Sequence, residues 1–244
     1  MRASLVISAL SYKGGVGKST ILASLAVAVQ RASNLRAIVV DVTPDATASR
    51  LLAPQCYVKG GSLTYVTGTE LLEICTTTDG ARVDVIPPGS AYEGKGELRI
   101  NPLRLQSMVD ALRGEYNIIF VDLPGTSEIH SDAVRAAIRF SDAYLIVLTP
   151  QVVHLLDQFR RLVSTSGRPY IIALNRYIEG APGKAEVQGF GRTRWGNAAF
   201  IIYDEPEVEL AVLQGKVPSE VKGTKFYNVI DSMAAFILRL FRSS

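Results

Sequence analysis

The sequence lacks several features that would narrow its class. No apolar run reaches the roughly 18 residues that a membrane-spanning helix needs, although hydrophobic residues make up 48% of the 244 positions. Its two cysteines, Cys56 and Cys75, have neither metal-ligand nor redox spacing, so we expect inert thiols in a cytoplasmic protein. The composition is typical of a soluble globular chain, and the length suits one α/β domain over 1–244.

The N-terminus and the charge balance exclude few further classes of protein. The segment MRASLVISALSYKGG has a basic residue and an apolar run but no small-residue cleavage site, so it predicts a first strand rather than a signal peptide. The net charge of +3 is compatible with contact to nucleic acid or anionic lipid, and equally with contact to neither. Function must therefore be read from motifs.

Short β-branched runs alternate with helical patterns along the chain. Most runs are too continuously apolar to be half exposed, which is typical of a parallel sheet covered by helices on both faces. Ligands bind at the carboxyl ends of the strands in such a sheet. Segments rich in glycine or polar residues at 52–68, 89–101 and 179–197 are expected to be mobile loops. The predicted strands are LVISAL, RAIVVDV, RVDVIP, NIIFVDL, AYLIVLT, PYIIALN and AAFIIY, and the predicted helices are 19–31, 103–113, 132–140 and 155–164.

The strongest motif is SYKGGVGKST, which lies between the first strand and the first helix. Its glycines permit positive φ and a close approach of the backbone to phosphate oxygens. The lysine before the serine is expected to reach the β and γ phosphates, the serine to offer its hydroxyl to Mg²⁺, and the threonine to face the α phosphate. The residues predicted to bind phosphate are Gly14, Gly15, Val16, Gly17, Lys18, Ser19 and Thr20.

The loop departs from the ordinary pattern GxxxxGK[ST], whose first glycine would fall at Tyr12, and Lys13 fills the next position. KGGVGKST thereby resembles the deviant phosphate loop of the ParA/MinD family of ATPases, in which a lysine at this position is the signature. The resemblance implies a three-layer α/β/α P-loop NTPase fold with a mostly parallel central sheet, ATP and Mg²⁺ as cofactors, and a homodimer in the ATP state. It also implies that Lys13 reaches the partner's phosphates while Lys18 acts within its own subunit. The alternative for Lys13 is a solvated loop lysine.

Two strand ends carry the candidate residues for metal binding and hydrolysis. IIFVDLPG resembles the family's second nucleotide motif, so Asp122 is expected to hold a water of the Mg²⁺ shell and the backbone of 124–126 to sense the γ phosphate. Helix capping is the alternative for Asp122. The metal set is therefore Ser19 and Asp122.

VVDVTPDATAS departs from the family pattern of aspartate, any residue, aspartate and proline. Asp41 is present, but Thr43 stands where the resemblance places the carboxylate that positions the attacking water. A hydroxyl orients water but is a poor general base. Asp45 either substitutes for the missing carboxylate or caps the following helix. The resemblance and these residues together give a catalytic set of Lys13, Lys18, Asp41, Thr43 and Asp45, with slow or absent turnover expected.

Base recognition is predicted at two further segments. PYIIALN is followed by Arg176 and not by the guanine-reading pattern Asn-Lys-x-Asp, so adenine is favoured. The family likewise uses an asparagine with a basic neighbour on the adenine. IIYDEPEVELAVLQGKVP is similar to the family's acidic loop, although Tyr203 stands where proline is usual. The nucleotide residues implied by these two segments are Asn175, Arg176, Asp204, Glu205 and Pro206.

The resemblance covers nearly the whole chain and implies an ATP-driven switch whose dimer binds a target that the monomer ignores. No helix-turn-helix precedes the first strand, as in the short ParA forms. We expect DNA partition through non-specific DNA binding, with a ParB-like or other stimulating partner, in the cytoplasm and on the nucleoid. One alternative is a MinD-like membrane ATPase, although core packing explains the C-terminal segment 226–244 better. Another is a regulatory nucleotide-binding protein with weak hydrolysis.

A DNA surface is predicted from basic residues with aromatic neighbours, for which ordinary solvated charges are the alternative. Its members are Arg160, Arg161, Arg168, Lys184, Phe190, Arg192, Arg194 and Trp195.

Overall fold

The computed structural model describes residues 4–56, 60–67, 73–76, 82–89, 100–125, 131–191 and 197–243. Within these ranges the chain forms an eight-stranded sheet with helices on both faces. The strands are β1 (Leu5–Leu10), β2 (Ala37–Asp41), β3 (Cys75–Thr76), β4 (Asp84–Ile86), β5 (Ile118–Asp122), β6 (Ala143–Leu148), β7 (Tyr170–Tyr177) and β8 (Ala198–Tyr203). The helices are α1 (Lys18–Ala32), α2 (Thr47–Leu52), α3 (Ser62–Thr67), α4 (Pro102–Leu112), α5 (Asp132–Phe140), α6 (Leu156–Ser164), α7 (Lys184–Gly191), α8 (Pro206–Leu213) and α9 (Lys225–Ser243).

The strands lie in the order β3-β4-β2-β5-β1-β6-β7-β8. Every neighbouring pair is parallel except β3 with β4, which is antiparallel. The strand β1 is central, with β5 on one side and β6 on the other, so the loop that follows it opens at a ligand-binding edge of the sheet. The predicted three-layer fold with a mostly parallel sheet is confirmed.

The sheet is buried on both faces because successive side chains of each strand enter different cores. Leu5 and Ile7 of β1 belong to the core beneath α1, α2 and α9, whereas Val6 and Leu10 belong to the core beneath α4, α5 and α6. This double burial explains why the strand segments are continuously apolar. It also holds the strand ends, and the polar residues that follow them, in fixed register.

Two helix starts differ in a way that matters for function. Helix α4 begins after Asn101, whose Oδ1 accepts hydrogen bonds from the backbone N–H groups of Leu103 and Arg104 at 3.0 and 3.2 Å. Helix α1 begins after Gly17, which has a positive φ of 87° and supplies no side-chain cap. The first turn of α1 therefore keeps backbone donors that no cap satisfies, as an anion site requires.

Three expectations require correction. The segments 52–68 and 179–197 are not simple loops, because they contain α3 and α7. The two-residue strand β3 was not predicted, since two residues carry no detectable period. Cys56 and Cys75 are not free thiols but form a disulfide, with Cα atoms 6.2 Å apart, because β3 returns the chain to the segment after α2.

The C-terminal helix α9 packs into the protein core. Its apolar stripe includes Phe226, Ile230, Met233 and Ile237, all buried in the core that also covers α1. The expectation that this segment is explained by core packing is confirmed. No helix in the described ranges is both long enough and apolar enough to span a bilayer.

Candidate functional site

The candidate site lies at the carboxyl ends of the parallel strands, where the loop after β1 meets the ends of β2, β5 and β7. The amide nitrogen of the Asn175 side chain, in β7, donates a 2.8 Å hydrogen bond to the carbonyl oxygen of Val16. On the other side, a Cβ added at Gly125 would lie 2.8 Å from the backbone nitrogen of Gly14. The loop is therefore clamped between two strand ends, with glycine required at the closest approach.

Lys18 and Asp122 form a buried ion pair beneath this loop. The Lys18 Nζ donates to Oδ1 of Asp122, and the two side chains are 6% and 0% exposed. Both charges have lost their hydration, so each depends on the other for compensation. Within the described residues the Asp122 carboxylate does not cap a helix, because its bonded oxygen accepts from the Lys18 side chain and not from a backbone N–H group.

Asp41 is the neighbour of Asp122 across the β2–β5 ladder and is also fully buried. One of its oxygens accepts from the backbone N–H and hydroxyl of Thr43 at 3.0 and 2.6 Å, and the other from those of Ser49 at 3.0 and 2.8 Å. Burial, and then the charge of Asp122, raise the pKa of Asp41 to about 6, although the hydrogen bonds from Thr43 and Ser49 oppose that rise. Ser49 was missed by the sequence reasoning because nothing local links it to a residue eight positions earlier.

Thr43 and Asp45, which follow Asp41, were predicted to orient the attacking water or, for Asp45, to cap the next helix. Thr43 lines the loop cavity, yet its hydroxyl proton is committed to Asp41. The N-cap of α2 is Ala46, with no side-chain hydrogen bond at the cap, so the alternative that Asp45 caps this helix is wrong. Asp45 is exposed and lines the same cavity as Lys13 and Thr43.

Ala46 adopts a left-handed backbone conformation, with φ of 49°. Such a conformation is unfavourable for a residue with a Cβ, and it is typical of segments held by their surroundings near functional sites.

We call the space above the loop the phosphate cavity. It has a volume of about 410 Å³ and is lined by 13–20, by Thr43 and Asp45, and by Pro124 and Gly125. Lys13 lies on this wall and is exposed. The cavity thus gathers the predicted phosphate-binding residues, while Thr126 of the predicted γ-phosphate sensor lies outside the described residues.

A second space, the base cavity, adjoins the first and has a volume of about 270 Å³. Gly17, Thr20 and Arg176 line both cavities. The remaining wall of the base cavity comes from Ile21 of α1, Asn175 of β7, the β8–α8 connection, one face of α8 and Phe226 of α9. The residues of this wall include Tyr203, Asp204, Glu205, Val208, Val212 and Phe226.

The structure assigns some residues around the base cavity to positions that the sequence did not predict. The Glu205 carboxylate accepts hydrogen bonds from the backbone N–H groups of Lys225 and Phe226 at 2.9 and 2.6 Å, so it caps α9. Pro206 is the first residue of α8 and is not part of the cavity wall. Phe226 was not anticipated, because it comes from a helix whose local sequence carries no nucleotide motif.

Arg176 lies at an irregularity in the sheet. The pairing register of β7 and β8 shifts between Leu174 and Tyr177, and Arg176 takes a left-handed φ of 53°. Bulges of this kind redirect a side chain at the end of a strand. Here the exposed Arg176 side chain lies at the junction of the two cavities.

Several basic members of the predicted DNA surface already have a contact within the described part of the chain. The Arg160 guanidinium lies 5.0 Å from the centroid of the Phe190 ring, and Lys184 is paired with Glu179 at 3.0 Å. Arg168 lies 3.7 Å from a carboxylate oxygen of Asp142, whereas Arg161 is exposed. The other three members, Arg192, Arg194 and Trp195, lie outside the described residues.

The donor set fits a magnesium ion. Within the described ranges, Oδ2 of Asp122 is buried and has no hydrogen-bond partner, which is unusual for a carboxylate oxygen. Mg²⁺ binds through one or two protein oxygens and keeps several waters. Ser19 lines the phosphate cavity, and its chain neighbour Lys18 contacts the other oxygen of Asp122. The Ser19 hydroxyl and the unsatisfied Oδ2 of Asp122 are therefore the candidate ligands.

The fold and the loop geometry together define an α/β nucleotide-binding domain. Residues 7–218 match the family model described as the CobQ/CobB/MinD/ParA nucleotide binding domain. This match extends over most of the chain, so the protein belongs to that family.

A curated protein is also similar to part of this chain. The chain is 30% identical over 164 residues to a cytosolic Fe-S cluster assembly factor NUBP1 homolog from Caenorhabditis briggsae, which is 61% of this chain and 48% of the relative. The matched part therefore spans about half the length of that curated relative.

Two solved structures share the fold. The septum site-determining protein MinD from Pyrococcus horikoshii, complexed with Mg-ADP, has a TM-score of 0.79 at 22% identity and covers 97% of both chains. A putative plasmid partition protein from Borrelia burgdorferi, bound to AMPPNP, has a TM-score of 0.75 at 16% identity and covers 97% of this chain and 99% of its own. At these identities the likeness is one of fold.

Proposed function

We propose that this chain binds Mg-ATP and uses it as a switch, which joins two copies of the chain and separates them after hydrolysis. The observation that carries the proposal is the pair of adjoining cavities, one lined by two lysines and the other partly apolar, which share Gly17, Thr20 and Arg176. A nucleotide has the same division, with a charged phosphate end and an aromatic base. The single domain predicted for 1–244 is retained as part of this proposal.

At the phosphate end, Lys18 exchanges one anionic partner for another. Its ammonium group contacts Asp122 in the described structure, and an incoming triphosphate offers oxygens of higher charge in the same cavity. Ser19 and Asp122 are the groups that would hold Mg²⁺, which supplies positive charge to the phosphates and to the carboxylate that Lys18 leaves. The glycines at 14, 15 and 17 let the backbone donors approach the phosphates closely.

At the base end, the fixed orientation of Asn175 favours adenine. Its amide nitrogen donates to Val16 and is thereby turned toward the loop, which leaves the carbonyl oxygen Oδ1 as the proposed contact to a base. An acceptor matches the 6-amino group of adenine and repels the 6-oxo group of guanine. Asp204 and Arg176 complete the polar part of this wall.

For hydrolysis, Asp45 is the better candidate for the group that orients water. Thr43 has its hydroxyl proton committed to Asp41, whereas Asp45 caps no helix and faces the phosphate cavity. An exposed carboxylate on a turn is less well positioned than a buried one, so we propose slow turnover. A nucleotide-binding regulator with weak hydrolysis is the limiting case of the same arrangement.

Lys13 is proposed to act on the phosphates of the partner subunit. It is an exposed residue of the phosphate cavity wall, whereas Lys18 is buried beneath the loop. A second ammonium from the facing subunit would stabilise the charge that develops on the transferred phosphoryl group. The ATP state is then the dimeric state.

The proposed target is non-specific DNA in a partition role, in the cytoplasm and on the nucleoid, with a ParB-like or other protein that stimulates turnover. The likeness of fold to a plasmid partition protein supports this target, and Arg161 is an exposed basic residue of the predicted surface. A membrane target is not favoured, since the apolar stripe of α9 is used in the core.

Fe–S cluster assembly is a second candidate, suggested by the printed name of the NUBP1 homolog. Clusters are held by cysteine thiolates. The sequence has two cysteines, and Cys56 and Cys75 are bonded to each other. For this reason we rank cluster assembly below the partition role.

Nucleotide binding is tested by calorimetry with ATP, GTP and inorganic tripolyphosphate in the presence of Mg²⁺. We expect ATP to bind more tightly than GTP and Lys18→Ala to abolish ATP binding. Lys13→Ala should retain binding but lose the ATP-dependent dimer in sedimentation. Normal ATP affinity in Lys18→Ala would refute the assignment of the loop.

The hydrolytic group and the target need separate assays. Thr43→Asp should raise the ATP turnover and Asp45→Asn should lower it, while equal rates in both variants and the wild type would exclude both residues. Retention on non-specific DNA should require ATP and should fall steeply between low and moderate salt. Retention on anionic liposomes instead of DNA would replace the partition role with a membrane role.

A further inference from the structure

The phenol ring of Tyr203 forms part of the base cavity wall and is held by an unusual number of contacts. Tyr177 meets it edge to face, with ring centroids 5.6 Å apart, and the Lys225 ammonium lies 4.7 Å from its centroid. Its hydroxyl donates to a carboxylate oxygen of Glu179 at 3.3 Å and lies 3.4 Å from the Lys184 ammonium.

These contacts come from outside the cavity. Tyr203 lines the base cavity, whereas Tyr177, Glu179, Lys184 and Lys225 do not. The four residues therefore hold the ring in place, while Tyr203 itself lines the base cavity. A half-buried aromatic ring with a fixed orientation next to an empty space is well suited to bind another flat ring.

We propose that Tyr203 is the residue on which the nucleotide base stacks, and that it contributes to the selection of a purine nucleotide. The inference rests on the proposed nucleotide-binding function and adds a specific residue to it. A purine offers two fused rings to the phenol, so it gains more stacking than a pyrimidine. The base is then fixed in two ways, by the Asn175 acceptor at its edge and by the Tyr203 ring at its face.

Lys225 is a positioning residue in this arrangement. Its backbone N–H donates to the Glu205 carboxylate, so the first residue of α9 is tied to the loop that follows Tyr203. Its ammonium is drawn to the ring face by a cation–π attraction. Lys225 therefore acts on the base through Tyr203 and not through the phosphates.

The test uses calorimetry with two probes, ATP and inorganic tripolyphosphate, both with Mg²⁺. Tyr203→Leu removes the ring and keeps an apolar side chain, and Tyr203→Phe keeps the ring and removes the hydroxyl. Tyr227→Leu is the matched control, because Tyr227 also carries a cation–π contact, with Arg31 at 4.8 Å, but lines neither cavity. Circular dichroism and thermal unfolding confirm that each variant is folded.

We expect Tyr203→Leu to weaken ATP about tenfold while leaving tripolyphosphate unchanged. Tyr203→Phe and Tyr227→Leu should bind ATP within about twofold of the wild type, and CTP should be affected less than ATP by Tyr203→Leu. Unchanged ATP affinity in Tyr203→Leu would overturn the inference. Failure of the wild type to bind either probe would instead overturn the proposed nucleotide function.

Lys225 provides an independent check. Lys225→Met should weaken ATP by less than Tyr203→Leu does, with no effect on tripolyphosphate, and Lys225→Arg should restore the affinity because a guanidinium also binds a ring face. An equal loss for both probes in Lys225→Met would assign Lys225 to the phosphates and overturn its positioning role.

Discussion

The buried pair of Lys18 and Asp122 predicts an effect on stability that needs no nucleotide. Lys18 is bonded to the buried Asp122, whose neighbour across the β2–β5 ladder is a second buried acid, Asp41. Lys18→Met keeps the length and much of the volume of the side chain but removes the charge. The apo protein should therefore lose stability even though nothing is bound.

The size of the expected stability loss in Lys18→Met follows from the burial of both partners. Lys18 is 6% exposed and Asp122 is 0% exposed, so the variant leaves a carboxylate buried without its counter-charge. Breaking one side of such a pair costs about 3 to 5 kcal/mol in proteins. About 3 kcal/mol corresponds to a fall of roughly 6 to 12 °C in the midpoint for a domain of this size.

The assay is thermal unfolding in EDTA without nucleotide, repeated with millimolar Mg²⁺. Lys13→Met is the matched control, because Lys13 is an exposed lysine of the same loop and should change stability by less than about 0.5 kcal/mol. In Lys18→Met, Mg²⁺ should recover part of the loss, since the unsatisfied Oδ2 of Asp122 gains a cation.

A double variant separates the pair from other effects of the substitution. Lys18→Met with Asp122→Asn should be more stable than Lys18→Met alone, because the uncompensated charge has gone. The reasoning is refuted if Lys18→Met unfolds at the same temperature as the wild type in EDTA, or if the second substitution adds a further full loss.

Three other predictions concern groups around the site. The Cys56–Cys75 disulfide joins residues 19 positions apart in the chain. Its reduction should lower the free energy of unfolding by about 3 kcal/mol, measured by urea unfolding with and without reductant. The pKa of Asp41 is raised from 3.8 to about 6, so the folded state binds this proton more tightly. The resulting stabilisation of about 3 kcal/mol is fully present below pH 3.8 and is lost as the pH rises through 6. Asp41→Asn should remove that slope from the pH dependence of unfolding, and an unaltered slope would contradict the shift. Gly125→Ala should weaken tripolyphosphate binding at least tenfold, because the added Cβ meets the backbone of Gly14; wild-type affinity would show that the two loops move apart freely.

Local spacing was sufficient to predict the phosphate side of the site. The order of apolar run, glycines, Lys18 and Ser19 specifies a strand, a tight loop and a helix N-terminus, and each of these is formed within about fifteen residues. Asp122 could be placed for a similar reason, since it ends a strand that is apolar throughout. These features depend little on the rest of the chain.

Contacts between distant segments could not be predicted in the same way. Whether Thr43 faces a water or bonds to Asp41 depends on how the backbone turns after β2, and the sequence alone allowed both. Glu205 was assigned to the nucleotide from the resemblance to the family's acidic loop. Its bond to the start of α9, 20 residues further along the chain, could not be recognised from local sequence. The disulfide was missed because its formation requires β3, which has no sequence signal of its own.

Asp41 and Asp122 lie opposite each other on neighbouring strands, so the sheet, whose strands lie about 4.8 Å apart, sets the separation of their backbones. Surface segments that leave these rungs can be lengthened, shortened or exchanged without disturbing that spacing. Exchanging such a surface segment is therefore expected to alter the surface of this scaffold while leaving the two buried acids where they are.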